Sequence, residues 1–170
     1  MKTILFLVRH GETVDNASQL MQGQTQGQLN DVGVGQARQL RDELAVRPID
    51  AIVASDLKRA VDTAIILAEP HGLEVKTTEL LRERDWGSFT GRYIPSLKGE
   101  AWPDDIESLD DLLARAGRFL EYIKKMYAGK TVLAVGHGII NKAIQAVYYG
   151  KQMRDVERMT NCEVRSLELI

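Results

Sequence analysis

The sequence predicts an α/β protein, a three-layer α/β/α sandwich with a mostly parallel central sheet flanked by helices. Short, largely apolar runs at Ile4–Val8, Ile49–Ala54 and Thr131–Val135 read as strands covered on both faces. Each is followed by a segment whose apolar residues recur at helical spacing, the alternation that builds parallel sheets. The chain has 170 residues, a length suited to one domain, and residues 1–170 are read as a single domain without repeats or linkers.

The elements follow in order. Ile4–Val8 is the first strand. Asp31 is placed to cap a helix running to about Val46, with Val32, Ala37, Leu40 and Leu44 inward; Pro48 follows it. Ile49–Ala54 is the second strand. Ser55 or Asp56 would cap the next helix, whose inner face is Leu57, Ala60, Val61, Ala64, Ile65 and Ala68; Pro70-His71-Gly72 ends it. Val75–Thr78 is a third strand. Residues 82–106 carry Gly87, Gly91, Pro95, Gly99 and Pro103, which break any long period and predict an irregular excursion over the sheet. Trp86 and Phe89 within it are expected to serve packing. Ser108–Met126 is helical, with Leu109, Leu112, Leu113, Ala116, Leu120 and Ile123 inward. Thr131–Val135 is a strand, Gly136-His137-Gly138 a tight turn and Ile139–Tyr149 a helix. Val164–Ile170 alternates as an edge strand does.

Composition excludes several classes. There are 22 basic and 24 acidic residues, a net charge of −2, which argues against nucleic acid as a bulk electrostatic partner. No run approaches the roughly 18 apolar residues of a membrane helix. The apolar run after Met1-Lys2 is cut short by Arg9, His10 and Glu12, unlike a signal peptide. Cys162 is the lone cysteine, so no disulfide can form within the chain; it is expected to be a small buried residue. A cytoplasmic setting, no membrane partner and no nucleic-acid partner are expected.

The chemistry gathers where strands end. The first strand runs into Arg9-His10-Gly11, the second into Ser55-Asp56-Leu57-Lys58-Arg59, and the Thr131–Val135 strand into Gly136-His137-Gly138. Ligands of open parallel sheets bind beyond the carboxyl ends of the strands. Arg9, Arg59, His10 and His137 would therefore converge on one rim. Guanidinium forks match phosphate oxygens, and helix N-termini add donors. A neutral imidazole aimed at phosphorus is a competent nucleophile. Cations beside it offset the charge on the transferring group, so neither a metal nor a cofactor is required. A leaving alkoxide needs a proton, for which Glu83, Asp85 and Glu12 are all candidates.

These segments, taken together, resemble the histidine phosphatase superfamily, with its phosphoglycerate-mutase-like fold. Arg9-His10-Gly11-Glu12-Thr13 resembles its signature, and Asn16 and Gln22-Gly23 its first phosphate-site loop. Leu29, Gly33, Gln36 and Ala37 resemble its helix entry. Ser55-Asp56-Leu57-Lys58-Arg59-Ala60 through Thr63-Ala64 resembles a third block. Leu81-Arg82-Glu83 with Trp86-Gly87 and Gly91 resembles its acid-bearing loop, and Val135-Gly136-His137-Gly138 its second-histidine motif. The resemblance implies His10 as nucleophile. It implies Arg9, Asn16, Arg59, His137 and the Gly138 backbone as phosphate ligands, and Glu83 as general acid and then base. It implies that Glu12 orients the pocket. Gln26, Asn30, Thr90 and Lys142 depart from the common pattern at positions outside this set, which leaves the substrate open.

Other residues have plainer readings. His71 reads as a solvated loop residue, and Arg59 has Asp56 and Asp62 within helical reach as alternative partners. Arg92, Tyr93, Lys98 and Trp102 are secondary candidates for lining a cleft. The expected reaction is metal-independent hydrolysis of a small phosphomonoester. About 25 residues run from Glu83 to Ser108, a compact excursion that favours an open phosphatase site over a phosphoglycerate mutase. A phosphohistidine protein phosphatase is disfavoured by the presence of Glu83. A binding module is disfavoured by the intact His10, Arg59, Glu83 and His137 set.

Overall fold

In the computed structural model of residues 1–170, five strands form one sheet in the order β3-β2-β4-β1-β5. They are β1 (Thr3–Arg9), β2 (Ala51–Ser55), β3 (Val75–Thr78), β4 (Thr131–Gly136) and β5 (Val164–Leu169). β1 pairs in parallel with β4, β4 with β2, and β2 with β3; β5 alone is antiparallel, beside β1. The helices are a single turn α1 (Val14–Ala17), then α2 (Asp31–Leu44), α3 (Lys58–Ala68), α4 (Leu109–Met126) and α5 (Gly138–Tyr149). No helix is long and apolar enough to cross a membrane.

The sheet divides the apolar side chains by their parity. Leu5, Leu7, Val132 and Ala134 face the layer made by α4 and α5, where Phe119, Ile123, Ile140 and Ile144 meet them. Phe6, Val8, Leu133 and Val135 face the layer of α2 and α3, with Leu40, Ala60, Ala64 and Leu67. Alternate Cβ directions along a strand produce this split, so a run apolar at every position is what a doubly covered strand needs.

Several local expectations are corrected. Asn30, not Asp31, caps α2: its extended backbone lets the side chain accept from Gly33 N at 2.8 Å. Neither Ser55 nor Asp56 caps α3 as an N-cap residue. Leu57 holds that position without a side-chain bond, and Gln26 substitutes from a distant loop, accepting from Lys58 N at 3.0 Å. Val32, Ile65 and Leu109 point to solvent at 57%, 51% and 45% exposure, whereas Phe119 and Leu67 are fully buried. One residue turns a helix by about 100°, so residues flanking the stripe are easily misassigned. The helix Asp31–Leu44 ends short of Val46, which is exposed.

The excursion between β3 and α4 is irregular as expected, with short 3₁₀ turns at Gly87–Phe89 and Ile94–Leu97. It folds back over the loop after β1, tied by an isolated bridge between Leu20 and Tyr93. Phe89 is buried there, in keeping with a packing role.

Candidate active site

The register of the sheet builds the site. Arg9 lies opposite Gly136 in the β1–β4 pairing, so the next residue of each strand, His10 and His137, emerges beside the other. Their ring centroids are 5.0 Å apart at 64°. β2, on the far side of β4, ends at the buried Ser55, whose Oγ lies 2.9 Å from His137 Nε2. The first turn of α3 then delivers Arg59 into the same space.

His10 Nδ1 lies 2.7 Å from the carbonyl oxygen of Gly11. A carbonyl only accepts, so Nδ1 carries the proton and Nε2 keeps a lone pair. Burial pushes the His10 pKa down to about 3; the charges of Arg59 and Arg9 push the same way and the Gly11 bond opposes them. The ring is therefore neutral at physiological pH, the form that can act as a nucleophile. His137 is held well below the ordinary range by burial first and by Arg59 second. Its Nδ1 has no partner.

The two arginines are buried, at 8% exposure for Arg9 and 1% for Arg59. Arg9 Nη1 donates to the Met159 carbonyl at 2.8 Å. Arg59 donates through Nη2 to the Gly23 carbonyl at 2.7 Å and through Nη1 to the Thr25 carbonyl. Each keeps its Nε without an acceptor. Burial lowers the Arg59 guanidinium only to about 10, which leaves it charged. The alternative partners read for Arg59 are taken elsewhere: Asp56 accepts a two-pronged bond from Arg82 at 2.6 and 2.7 Å, and Asp62 pairs with Lys58. Buried donors without acceptors are rare unless a ligand supplies them.

Asn16 sits in α1, where its Oδ1 accepts from Thr13 N at 3.1 Å and closes a capping box. Its amide nitrogen has no acceptor and the residue lines the cleft. Gly138 opens α5, so its N–H lacks an acceptor within the helix. A Cβ at Gly138 would stand 3.4 Å from Arg9 Nε. Gly11 is held by Thr63, whose Oγ1 accepts from its N–H at 3.1 Å. Gly11 also crosses Gly33 of α2 so closely that a Cβ on Gly33 would overlap the Glu12 carbonyl oxygen.

Among the three carboxylates the sequence leaves open, Glu83 alone lines the cleft. Its Oε1 accepts from Arg84 N and Ile140 N, both at 2.9 Å, and its Oε2 from Ile139 N at 3.1 Å. Glu83 thus reaches from the excursion to the head of α5, beside Gly138. Glu12 instead accepts from Asn30 Nδ2 at 3.0 Å, and Asp85 is exposed, accepting from Gly87 N at 2.9 Å. Arg115 of α4 steadies the Glu83 segment by donating through Nη1 to the carbonyls of Leu80, at 3.0 Å, and Arg82, at 2.5 Å.

Arg9, His10, Asn16, Arg59, Glu83 and Gly138 all line one cleft of about 180 Å³. His137 lies just behind its wall, fully buried against His10. Leu20, Met21, Trp86, Ile94 and Ile139 form an apolar side, and Arg158 stands at the exposed edge. Trp86 therefore does more than pack. It meets Trp102 edge-on at 5.4 Å and faces the cleft. Arg92, Tyr93, Lys98 and Trp102 are not part of the cleft wall; Arg92 is bound to Glu100 at 2.6 and 2.9 Å. Leu20, Met21, Ile94, Ile139 and Arg158 escape sequence reasoning because no spacing links them to the histidines. Cys162 is half-buried, at φ 58°. No three His, Cys, Asp or Glu side chains gather as a metal-ligand set.

The sequence model described as the histidine phosphatase superfamily (branch 1) matches residues 5–170. The metal-independent phosphoserine phosphatase of Arabidopsis thaliana is 38% identical, over 84% of this chain and 67% of that protein. A protein of Enterobacter sp. (strain 638) described as probable phosphoglycerate mutase GpmB is 32% identical, over 96% of this chain and 84% of its own. The solved structure of a mycobacterial glucosyl-3-phosphoglycerate phosphatase superposes with a TM-score of 0.88 at 27% identity, covering 99% of this chain and 91% of that one. The chain belongs to the histidine phosphatase superfamily, and with it to the phosphoric monoester hydrolases.

Proposed function

We propose that this protein hydrolyses a small phosphorylated metabolite without a metal, through a phosphohistidine on His10, with Glu83 as general acid and base. The observation that carries the reading is the neutral His10, with Nε2 free, set between two buried arginines whose Nε donors lack acceptors. A phosphoryl dianion supplies what those donors lack. The cleft of about 180 Å³ is below the roughly 300 Å³ at which drug-sized pockets begin, which suits a short substrate.

In the first step His10 Nε2 attacks phosphorus and the P–O bond to the alcohol breaks. The departing oxygen takes the proton held on the Glu83 carboxyl group. Arg9, Arg59, His137, Asn16 and the Gly138 N–H hold the three equatorial oxygens, whose charge is the main load in phosphoryl transfer. The Nδ1–H to Gly11 bond keeps the ring oriented while it carries the phosphoryl group. In the second step water gives a proton to the Glu83 carboxylate and attacks phosphorus. The P–N bond breaks, its electron pair returns to Nε2, and inorganic phosphate leaves. Glu83 serves both steps because the second reverses the proton traffic of the first.

The test is phosphate release from a panel of phosphomonoesters, 3-phosphoglycerate included, with chelator present and His10→Ala protein alongside. Metal-independent release that the variant lacks is the expected result. Conversion of 3-phosphoglycerate to its 2-isomer without release would replace hydrolysis by a mutase reaction. Undiminished release by His10→Ala would remove the phosphohistidine.

A further inference from the structure

We propose that Ser55 is a positioning residue: its hydroxyl donates to His137 Nε2, fixes that ring with its proton on Nδ1, and so makes His137 a neutral hydrogen-bond donor to the phosphoryl group. The use of that donor rests on the phosphatase reading; the place of the proton does not.

Ser55 closes β2 and is fully buried. Its Oγ has two neighbours. Leu57 N donates to it at 3.2 Å, and His137 Nε2 lies 2.9 Å away. His137 is also fully buried, and its ring makes no cap bond to α5, the helix it precedes. One proton can lie between the hydroxyl and the ring in two ways. If Nε2 carries it, the Ser55 hydroxyl proton has no acceptor and the Nδ1 lone pair has no donor. Two buried groups are then unpaired. If Ser55 donates to a bare Nε2, the hydroxyl is satisfied on both sides and only the Nδ1 proton lacks a partner. Each unpaired buried group is costly, so the second arrangement is the stable one. Burial first, and the Arg59 charge second, keep the ring from holding both protons.

The Nδ1 proton then needs an acceptor from outside the protein. The charges acting on the ring are Arg59, Arg9 and Arg115, none of which accepts. The side-chain acceptors that line the cleft are bonded elsewhere. Asn16 Oδ1 accepts from Thr13 N at 3.1 Å, and Gln22 Oε1 from Thr13 Oγ1 at 2.9 Å. The Glu83 oxygens take the N–H groups of Arg84, Ile139 and Ile140. A phosphoryl oxygen supplies what is missing. The two histidines thus differ by what holds them. A carbonyl at His10 Nδ1 leaves a bare nitrogen that attacks, whereas a hydroxyl at His137 Nε2 leaves a protonated nitrogen that donates.

Nitrogen-15 NMR of histidine-labelled protein tests this. The chain has 3 histidines, so His10→Ala and His71→Gln assign the signals. In the wild type, without and with inorganic phosphate, His137 should show a protonated Nδ1 and a bare Nε2. A protonated Nε2 in either state would overturn the proposal. Ser55→Ala should shift His137 toward the other tautomer and lower kcat for phosphate release roughly tenfold or more, toward the 10²–10³ range of a lost oxyanion donor. Ser55→Cys keeps the shape but donates weakly, and should lie between. In a His137→Asn background, Ser55→Ala should change kcat by less than about twofold, because its effect passes through the ring. Equal losses in both backgrounds would reduce Ser55 to packing and overturn the proposal. If the Ser55 variants do not fold, the wild-type nitrogen signals decide alone. If the wild type releases phosphate from no monoester, the phosphatase reading fails, and the same signals still decide where the His137 proton lies.

Discussion

The Arg115 guanidinium and the Glu107 carboxylate meet in a two-pronged bond, at 2.9 and 3.1 Å, and together they clamp the segment that bears Glu83. Arg115 holds the carbonyls of Leu80 and Arg82, while Glu107 accepts from Asp85 N at 3.1 Å and its carbonyl accepts from Arg84 Nε at 2.9 Å. Both side chains are largely buried, at 11% and 14% exposure. Arg115→Met leaves Glu107 without its partner and should cost about 3 kcal/mol in stability, the scale for breaking a buried pair. Below its melting temperature the variant should also lose activity on alkyl phosphates more than on aryl phosphates, as a misplaced general acid would. Equal losses on both, read from kcat, would reduce Arg115 to a structural role.

His10 is 2% exposed, and its imidazole makes one side-chain hydrogen bond, to Gly11. His10→Ala should leave the circular dichroism spectrum intact while turnover falls roughly 10⁴-fold or more, as for loss of a nucleophile that works as a unit with its neighbours. Quenching the wild type during turnover should trap an acid-labile phosphoenzyme. Retained turnover with the normal pH profile would sink the nucleophile assignment.

Glu83→Gln keeps the shape of the side chain but cannot deliver a carboxyl proton. Alkyl ester hydrolysis should slow by roughly 10²–10⁴-fold, the usual range for a general acid. The loss should shrink for esters with acidic leaving groups, which depart without a proton. A loss independent of the leaving group would take Glu83 out of the acid role.

Stability should fall on mild acidification. Burial lowers the His10 pKa from 6.5 to about 3, and His137 moves the same way. Between these values the unfolded chain binds protons that the folded chain refuses, so lowering the pH favours unfolding. Each histidine contributes a slope approaching 1.4 kcal/mol per pH unit below 6.5. Urea midpoints measured between pH 7 and 5 should drop accordingly, and His137→Asn should roughly halve the slope. A flat profile over that window would mean that the two rings are open to protons in the folded state.

Gly33→Ala tests the crossing beneath the Arg9-His10-Gly11 turn. The added methyl meets the backbone of Glu12, which cannot rotate away as a side chain could. The substitution should cost about 1–3 kcal/mol, the range for overpacking, and lower kcat by displacing His10. Gly35, one turn-face away with open space at its Cβ, is the control: Gly35→Ala should be neutral or stabilising.

The architecture was legible because its cause is local. Strands covered on both faces must be apolar at every position, and β1, β2 and β4 carry that mark. Arg9, His10, Arg59 and His137 were legible as a group because parallel strands expose their carboxyl ends on one rim. Other features needed more than residue chemistry. Glu83, Asp85 and Glu12 are equivalent by residue chemistry; the resemblance implies Glu83, and the fold carries that one of the three to the α5 N-terminus. Residues bonded across the chain look unassigned in sequence, as Gln26 does in capping α3 and Asn30 in joining α2 to Glu12. Arg158 is one more charged residue in a polar stretch until the bond from Arg9 to the Met159 carbonyl draws that stretch to the cleft. Spacing along the chain encodes periodic burial, whereas a site assembled from five separate segments is encoded in how the layers close upon one another.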